Sequence, residues 1–177
     1  MQNKTNKQRE ALRRLVITSA MIALSIVLCR MLGIQPNEVV RIEISFLPIA
    51  VVGAMFGPIW SGAAYGIADF VGAALTTGVN PLITLSKIIF GVMMGVCLHK
   101  KRRGLVYIIF FFIISGIIVD IACMTPIFVF WFGYAPKAAL AMRALNFAVN
   151  VPIRIALYYL CERYLGRFIF KAQREKL

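Results

Sequence analysis

Ten charged side chains stand outside the basic clusters of this sequence: Arg30, Arg41, Lys87, Lys137, Arg143 and Arg154, with Glu38, Glu43, Asp69 and Asp120. Most lie within or beside long apolar runs. A charge in such a run is costly, and as a rule it faces a water-filled cavity or an opposite charge. Guanidinium and ammonium groups are the natural receptors for carboxylates. Carboxylates and amide oxygens accept from amine and amide donors. In the last apolar run Arg143, Asn146, Asn150 and Arg154 are spaced three, four and four, so one helix face carries all four. The pattern suits capture of a polar ligand inside an apolar protein. The competing reading is internal pairing, such as Asp69 with Lys87, that serves helix packing alone.

Reaction chemistry has less support. There is no GxxxxGK[ST] phosphate loop, so the chain is not expected to hydrolyse nucleotide by that route. No Ser/His/Asp, Cys/His or HExxH set is present, and an enzyme needs positioned acids, bases or nucleophiles. Nothing favours a dyad of Asp69 and Asp120. His99 is the sole histidine, and Cys29, Cys97, Cys123 and Cys161 form no CxxC pair. A zinc site wants about four ligands close together, so the cysteines read as small buried hydrophobes. No catalytic residue, metal site or cofactor is expected in this chain.

The elements that must position these charges are membrane helices. Of the 177 residues 60% are hydrophobic, against about 45–50% in soluble domains. A membrane helix needs roughly 17–25 mostly apolar residues. The first such run covers 15–32, followed by a polar loop over 33–43. Apolar character then continues from Ile44 to Leu98, a length that fits three short helices. Phe56-Gly57-Pro58 and Thr76-Thr77-Gly78-Val79-Asn80-Pro81 mark the turns between them. A basic loop over 99–104 precedes a fifth helix, expected to break at Thr125-Pro126. Phe128 to Tyr134 reads as an interfacial aromatic belt. The sixth helix starts near Pro136 and ends near Tyr164. The expectation is an all-α polytopic protein of six transmembrane helices in one domain: a basic tail over 1–14, a bundle over 15–165 and a second basic tail over 166–177.

Net charge is +13, but its distribution argues against nucleic acid. Fourteen of the 20 basic residues fall in the amino-terminal tail, the loop between helices four and five, and the carboxyl-terminal tail. Six spans put these three regions on one side, and basic residues mark that side as cytoplasmic. Both termini are therefore expected inside the cell. Counted from the outer helix ends, Asp69, Lys87, Asp120 and Arg143 lie at about 6–11 Å depth, given the helical rise of about 1.5 Å per residue. Four helices converging on one depth is what an outward-facing cavity would produce.

Small residues form a second pattern. Gly62-x-x-x-Gly66 and Gly91-x-x-x-Gly95 permit close backbone approach. Ser19, Ala20 and Ala23 make a small-residue patch on the first helix. Such patches serve internal packing or docking to another membrane protein.

From Leu15 to Leu165 the chain resembles the substrate-binding subunits of energy-coupling factor transporters, in particular the folate branch. The segments that carry the resemblance are Ala23-Leu-Ser-Ile-Val-Leu-Cys-Arg30, Arg41-Ile-Glu-Ile-Ser-Phe-Leu-Pro48, Gly53-x-x-Phe-Gly-Pro58, Gly62-x-x-x-Gly66-x-x-Asp69-x-x-Gly72, Thr84-Leu-Ser-x-x-x-x-Gly91, and Arg143 followed by Pro152. Two segments depart from the folate-type pattern. Cys123-Met-Thr-Pro126 stands where those members often have Asn-Thr-x-Trp, and Asn80-Pro-Leu82 replaces Pro-Gly-Phe. Pantothenate-type relatives share much of the same pattern, so the vitamin is open between folate and another.

The resemblance implies a subunit of the bacterial plasma membrane that binds a vitamin, most readily folate, from outside. It implies a partner assembly of one membrane-embedded coupling protein and two cytoplasmic ATPases that hydrolyse the ATP. The patch Ser19, Ala20 and Ala23 matches the family's docking position. A folate ligand brings an amino-bearing ring for Asp69 or Asn146, two carboxylates for Arg41, Lys87 and Arg143, and flat surfaces for Phe46, Phe70, Trp131 and Tyr134. A self-sufficient small transporter is the remaining alternative, and it would call for internal repeats.

Overall fold

A computed structural model of the chain describes residues 2–31, 42–75, 78–99 and 104–174. Every regular element in them is helical. We label these α1 (Gln2–Met31), α2 (Phe46–Phe56), α3 (Pro58–Ala74), α4 (Pro81–Leu98), α5 (Leu105–Phe130) and α6 (Pro136–Arg174). Four helical stretches are long and apolar enough to cross a membrane: Gln8–Cys29, Pro81–Leu98, Leu105–Phe130 and Pro136–Tyr164. The shorter apolar helix Phe46–Phe56 adds to them. The chain is a multi-pass membrane protein.

The ends of α1 and α6 run further than the hydrophobic pattern predicts. Polar Lys, Arg, Gln and Glu end an apolar span, yet they are good helix formers. Helical structure therefore continues through the basic segments, back to Gln2 and on to Arg174. Between α2 and α3 the turn is a single residue. Gly57 has φ +93°, a left-handed conformation that glycine adopts without strain. Pro58 then opens α3, where a missing N–H is harmless.

The expected break at Thr125-Pro126 does not occur. Instead α5 widens into a π-helical turn over Ile117–Cys123 and resumes as α-helix at Met124. Pro126 then falls in the first turn of the resumed segment, where no intrahelical bond is asked of its nitrogen. π-turns within α-helices often coincide with functional sites, and this one contains Asp120.

The closest helix pair is α3 with α4. A Cβ added at Gly91 would come within 2.6 Å of Ser61 O, and one at Gly95 within 2.2 Å of Pro58 Cα. The second glycine pattern therefore serves internal packing, and the first does too: a Cβ at Gly62 or Gly66 would strike Val92 or Ile88 at 2.6 Å. Ser61 Oγ donates to Gly91 O at 2.7 Å across this contact. The apolar core joins α2, α4, α5 and α6 through Phe46, Phe90, Phe112 and Tyr158. Phe46 meets Phe112 edge-on at 5.7 Å, and Phe112 meets Tyr158 at 5.8 Å.

Candidate substrate cavity

Above this core the helices part around a cavity of about 320 Å³. Small-molecule sites run from about 300 to 1,000 Å³. Its wall takes residues from α1, α3, α4, α5 and α6 and from the segments joining them. Six charged residues face it: Glu43, Asp69, Lys87, Asp120, Arg143 and Arg154. Three are acidic and three basic, so the charges of the described wall residues balance.

Four of the six form one connected network. Lys87 Nζ donates to Glu43 Oε1, and Arg154 Nη2 reaches Glu43 Oε2 at 3.4 Å. Arg154 Nη1 donates to Asp120 Oδ2 at 2.7 Å. Glu43 is also held through its backbone, whose N–H donates to Asn150 Oδ1 at 3.1 Å. The segment before α2 is thus tied to α4 and α6, and α6 to the π-turn of α5. Lys87 and Arg154 are both buried. A low-dielectric site makes such pairs costly to break, because the partner left behind is an uncompensated charge.

The other two charges are arranged differently. Asp69 Oδ2 accepts from Thr84 Oγ1 at 2.8 Å, and Lys87 pairs with Glu43, so the competing pairing of Asp69 with Lys87 does not form. Arg143 lies over the ring of Phe128, its guanidinium carbon 3.6 Å from the ring centroid. No carboxylate among the described residues comes within ion-pair distance of Arg143, and its Nε has no hydrogen-bond partner among them. Cation and ring together put a positively charged, aromatic surface on the wall.

Asp69, Lys87, Arg143 and Asn146 are brought to the cavity, and Asn150 and Arg154 come with them on the predicted face of α6. Phe46 is not part of the wall; it is fully buried in the core against Phe112. Trp131 and Phe70 are not part of it either, being 57% and 53% exposed. Phe128 and Tyr134 supply the aromatic surface instead, with rings 5.8 Å apart. Arg41 lies outside the described residues. Two wall residues have no place among the sequence-based candidates: Glu43, one of the ten charges outside the basic clusters, and Tyr65. Tyr65 precedes Asp69 by four residues, a spacing that puts both on one face of α3. On α1, Ser19, Ala20 and Ala23 are all exposed, while Thr18 and Ser25 point inward.

The family described as the substrate-specific component of ECF transporters matches residues 13–161. The chain belongs to this family. Substrate-specific components are parts of transporters, and the family is not one of enzymes. Among its relatives, the folate transporter FolT of Clostridium novyi (strain NT) is 28% identical over 147 residues, 82% of this chain and 85% of that protein. A crystal structure of FolT bound with folic acid is similar with a TM-score of 0.73 and 25% identity, over 82% of this chain and 89% of that one. The cavity therefore lies in a substrate-specific component whose relatives include a protein seen with folic acid.

Proposed function

We propose that this substrate-specific component captures folate from outside the bacterial plasma membrane and delivers it with a separate ATP-driven coupling module. The observation that carries the reading is Arg143: a cavity cation, stacked on Phe128, with no carboxylate partner among the described residues. A ligand with a carboxylate tail supplies the missing partner. The other cavity cations, Lys87 and Arg154, already have theirs. Similarity to FolT, at 28% identity, makes folate the ligand of choice.

In this reading the tail meets Arg143 and the flat rings lie along Phe128 and Tyr134. Asp69 or Asn146 accepts from the amino-bearing ring. Lys87 shapes the field of the site through Glu43, and Arg41 is a second candidate for the tail. Both termini face the cytoplasm, where the coupling protein and its two ATPases act. Ser19, Ala20 and Ala23 form the docking patch for that protein.

The test is to purify the protein from cells grown with mixed vitamins and identify the tightly held small molecule by mass spectrometry, then titrate the emptied protein with folic acid. Folate in the first step and saturable binding in the second are expected. Recovery of pantothenate or another vitamin, with no binding of folic acid, overturns the proposal.

A further inference from the structure

A buried hydrogen-bonding atom without a partner destabilises the folded chain unless something else supplies the bond. Four such atoms belong to residues of the cavity wall: the Nε atoms of Arg143 and Arg154 on α6, and two at the α3–α4 side. The first of the latter two is the Tyr65 hydroxyl. Tyr65 is 3% exposed, and its hydroxyl has no hydrogen-bond partner among the described residues. The ring is fixed by Phe90, with centroids 6.0 Å apart, and by Lys87 Nζ at 5.5 Å from its centroid.

The second is Asn80 Nδ2, also buried and unpartnered among the described residues. Its direction is imposed by the helix cap. Asn80 Oδ1 accepts from the N–H groups of Leu82 and Ile83 at 3.0 and 3.5 Å, which turns the amino group away from α4. Between the two stands Asp69, one turn beyond Tyr65. The Thr84 hydroxyl that donates to Asp69 also lies 3.3 Å from Asn80 O, which ties these two wall residues together, and helical spacing sets Tyr65 on the same face of α3 as Asp69.

The three residues offer a carboxylate acceptor, a fixed amide donor, and a hydroxyl that serves either way. We propose that Tyr65 Oη and Asn80 Nδ2 are ligand-reading groups which, with Asp69, bind the polar edge of a flat amino-oxo heterocycle, leaving the carboxylate end to Arg143. The assignment rests on the folate reading above and fixes the ligand's direction in the site. The ring end lies against α3 and α4, and the tail against α6. Asp69 accepts from the ring's amino and N–H donors, and Asn80 donates to its carbonyl or ring nitrogen. Aromatic packing alone asks only for a phenylalanine at position 65, and capping alone only for a side-chain oxygen at position 80.

Tyr65→Phe and Asn80→Ser separate these roles. The first keeps the ring, and the second keeps an oxygen able to cap α4. Folic acid is titrated by calorimetry into purified full-length protein, and thermal unfolding is followed without ligand. Each variant is expected to bind roughly 3- to 15-fold more weakly than the parent, with the ligand-free midpoint unchanged or raised. Parent affinity in either variant, with the parent itself binding folic acid, overturns this assignment alone. Weaker binding together with a lowered ligand-free midpoint also overturns it, because the lost group is then structural. A parent protein that does not bind folic acid overturns both this assignment and the folate reading.

Discussion

Arg154 Nη1 lies 2.7 Å from Asp120 Oδ2, an ion pair that joins the inner face of α6 to the π-turn of α5. The Arg154 side chain is 3% exposed, and its other terminal nitrogen reaches Glu43. Such a residue holds helices in place. Arg154→Ala leaves Asp120 buried without its counter-ion, and breaking a buried pair this way costs about 3–5 kcal/mol. A markedly lowered thermal midpoint in detergent is expected, with Asp120→Asn acting in the same direction. The double variant should lose less than the two single losses added together, since both remove one interaction. Fully additive losses would show that the two residues act independently.

Arg143 is expected to show the opposite profile. Its guanidinium rests on Phe128 and carries no ion pair among the described residues, so Arg143→Ala removes little that holds the fold together. A charged hydrogen bond to the ligand is worth about 1.5–3 kcal/mol, equivalent to roughly 10- to 150-fold in affinity. Calorimetry and thermal unfolding on one preparation separate the two arginines. Unchanged affinity for folic acid in Arg143→Ala, in protein still folded, would remove Arg143 as the anchor of the tail.

The face of α6 was legible in the sequence because helical geometry fixes it: residues spaced three and four apart must share a side, and Arg143, Asn146, Asn150 and Arg154 all line the cavity. Depth was not legible in the same way: the count for Asp120 starts from a helix end at Met124, whereas α5 continues to Phe130. Partner choice was not legible either. Spacing says that Asp69 and Lys87 come close, but Thr84 takes Asp69, and Glu43, from a polar segment 44 residues away, takes Lys87. Rotation of the short helix α2 was equally hidden. An almost wholly apolar helix shows no preferred face, so nothing in the sequence assigned Phe46 to the core. The continuation of α5 through Pro126 depends on the π-turn before it, a backbone adjustment with no composition signal.

Gly95 sets the separation of α3 and α4. A Cβ there would lie 2.2 Å from Pro58 Cα and 2.5 Å from Pro58 N, both backbone atoms that cannot rotate aside. Gly95→Ala must push α3 off α4, and overpacking of this kind costs about 1–3 kcal/mol or more. Lower yield of folded protein and a lower thermal midpoint are expected. Gly104→Ala is the control, since a Cβ there meets nothing within 4 Å. Equal stability of the two variants would mean that the α3–α4 contact is looser than this packing requires.

The proposed topology has both termini and the loop over 99–104 inside, on the strength of their basic clusters. Single cysteines at Asn37 and Arg102, in a protein without its own cysteines, report the two sides. An impermeant thiol reagent applied to intact cells should label Asn37→Cys and spare Arg102→Cys. The reverse pattern would invert the orientation and place the cavity on the cytoplasmic side.

Helix α1 is the least buried of the four long spans. It packs on α2 and α3 with one face, while Ser19, Ala20 and Ala23 lie exposed on its surface. Small residues on an exposed membrane helix allow another helix to approach closely, and close approach is what drives association where water is absent. Ala23→Trp adds a large side chain to that surface. It makes no demand on the cavity, whose described α1 residues are Ser25 and Cys29. The variant should therefore bind folic acid as the parent does and fail to co-purify with the coupling protein and its ATPases. Assembly in undiminished yield would move the docking surface off α1. The same preparation tests the division of labour: the parent protein alone in liposomes should bind folate without concentrating it. Uptake against a gradient by this chain alone would show that it carries its own means of energy coupling, and the separate ATPases would then be unnecessary to the proposal.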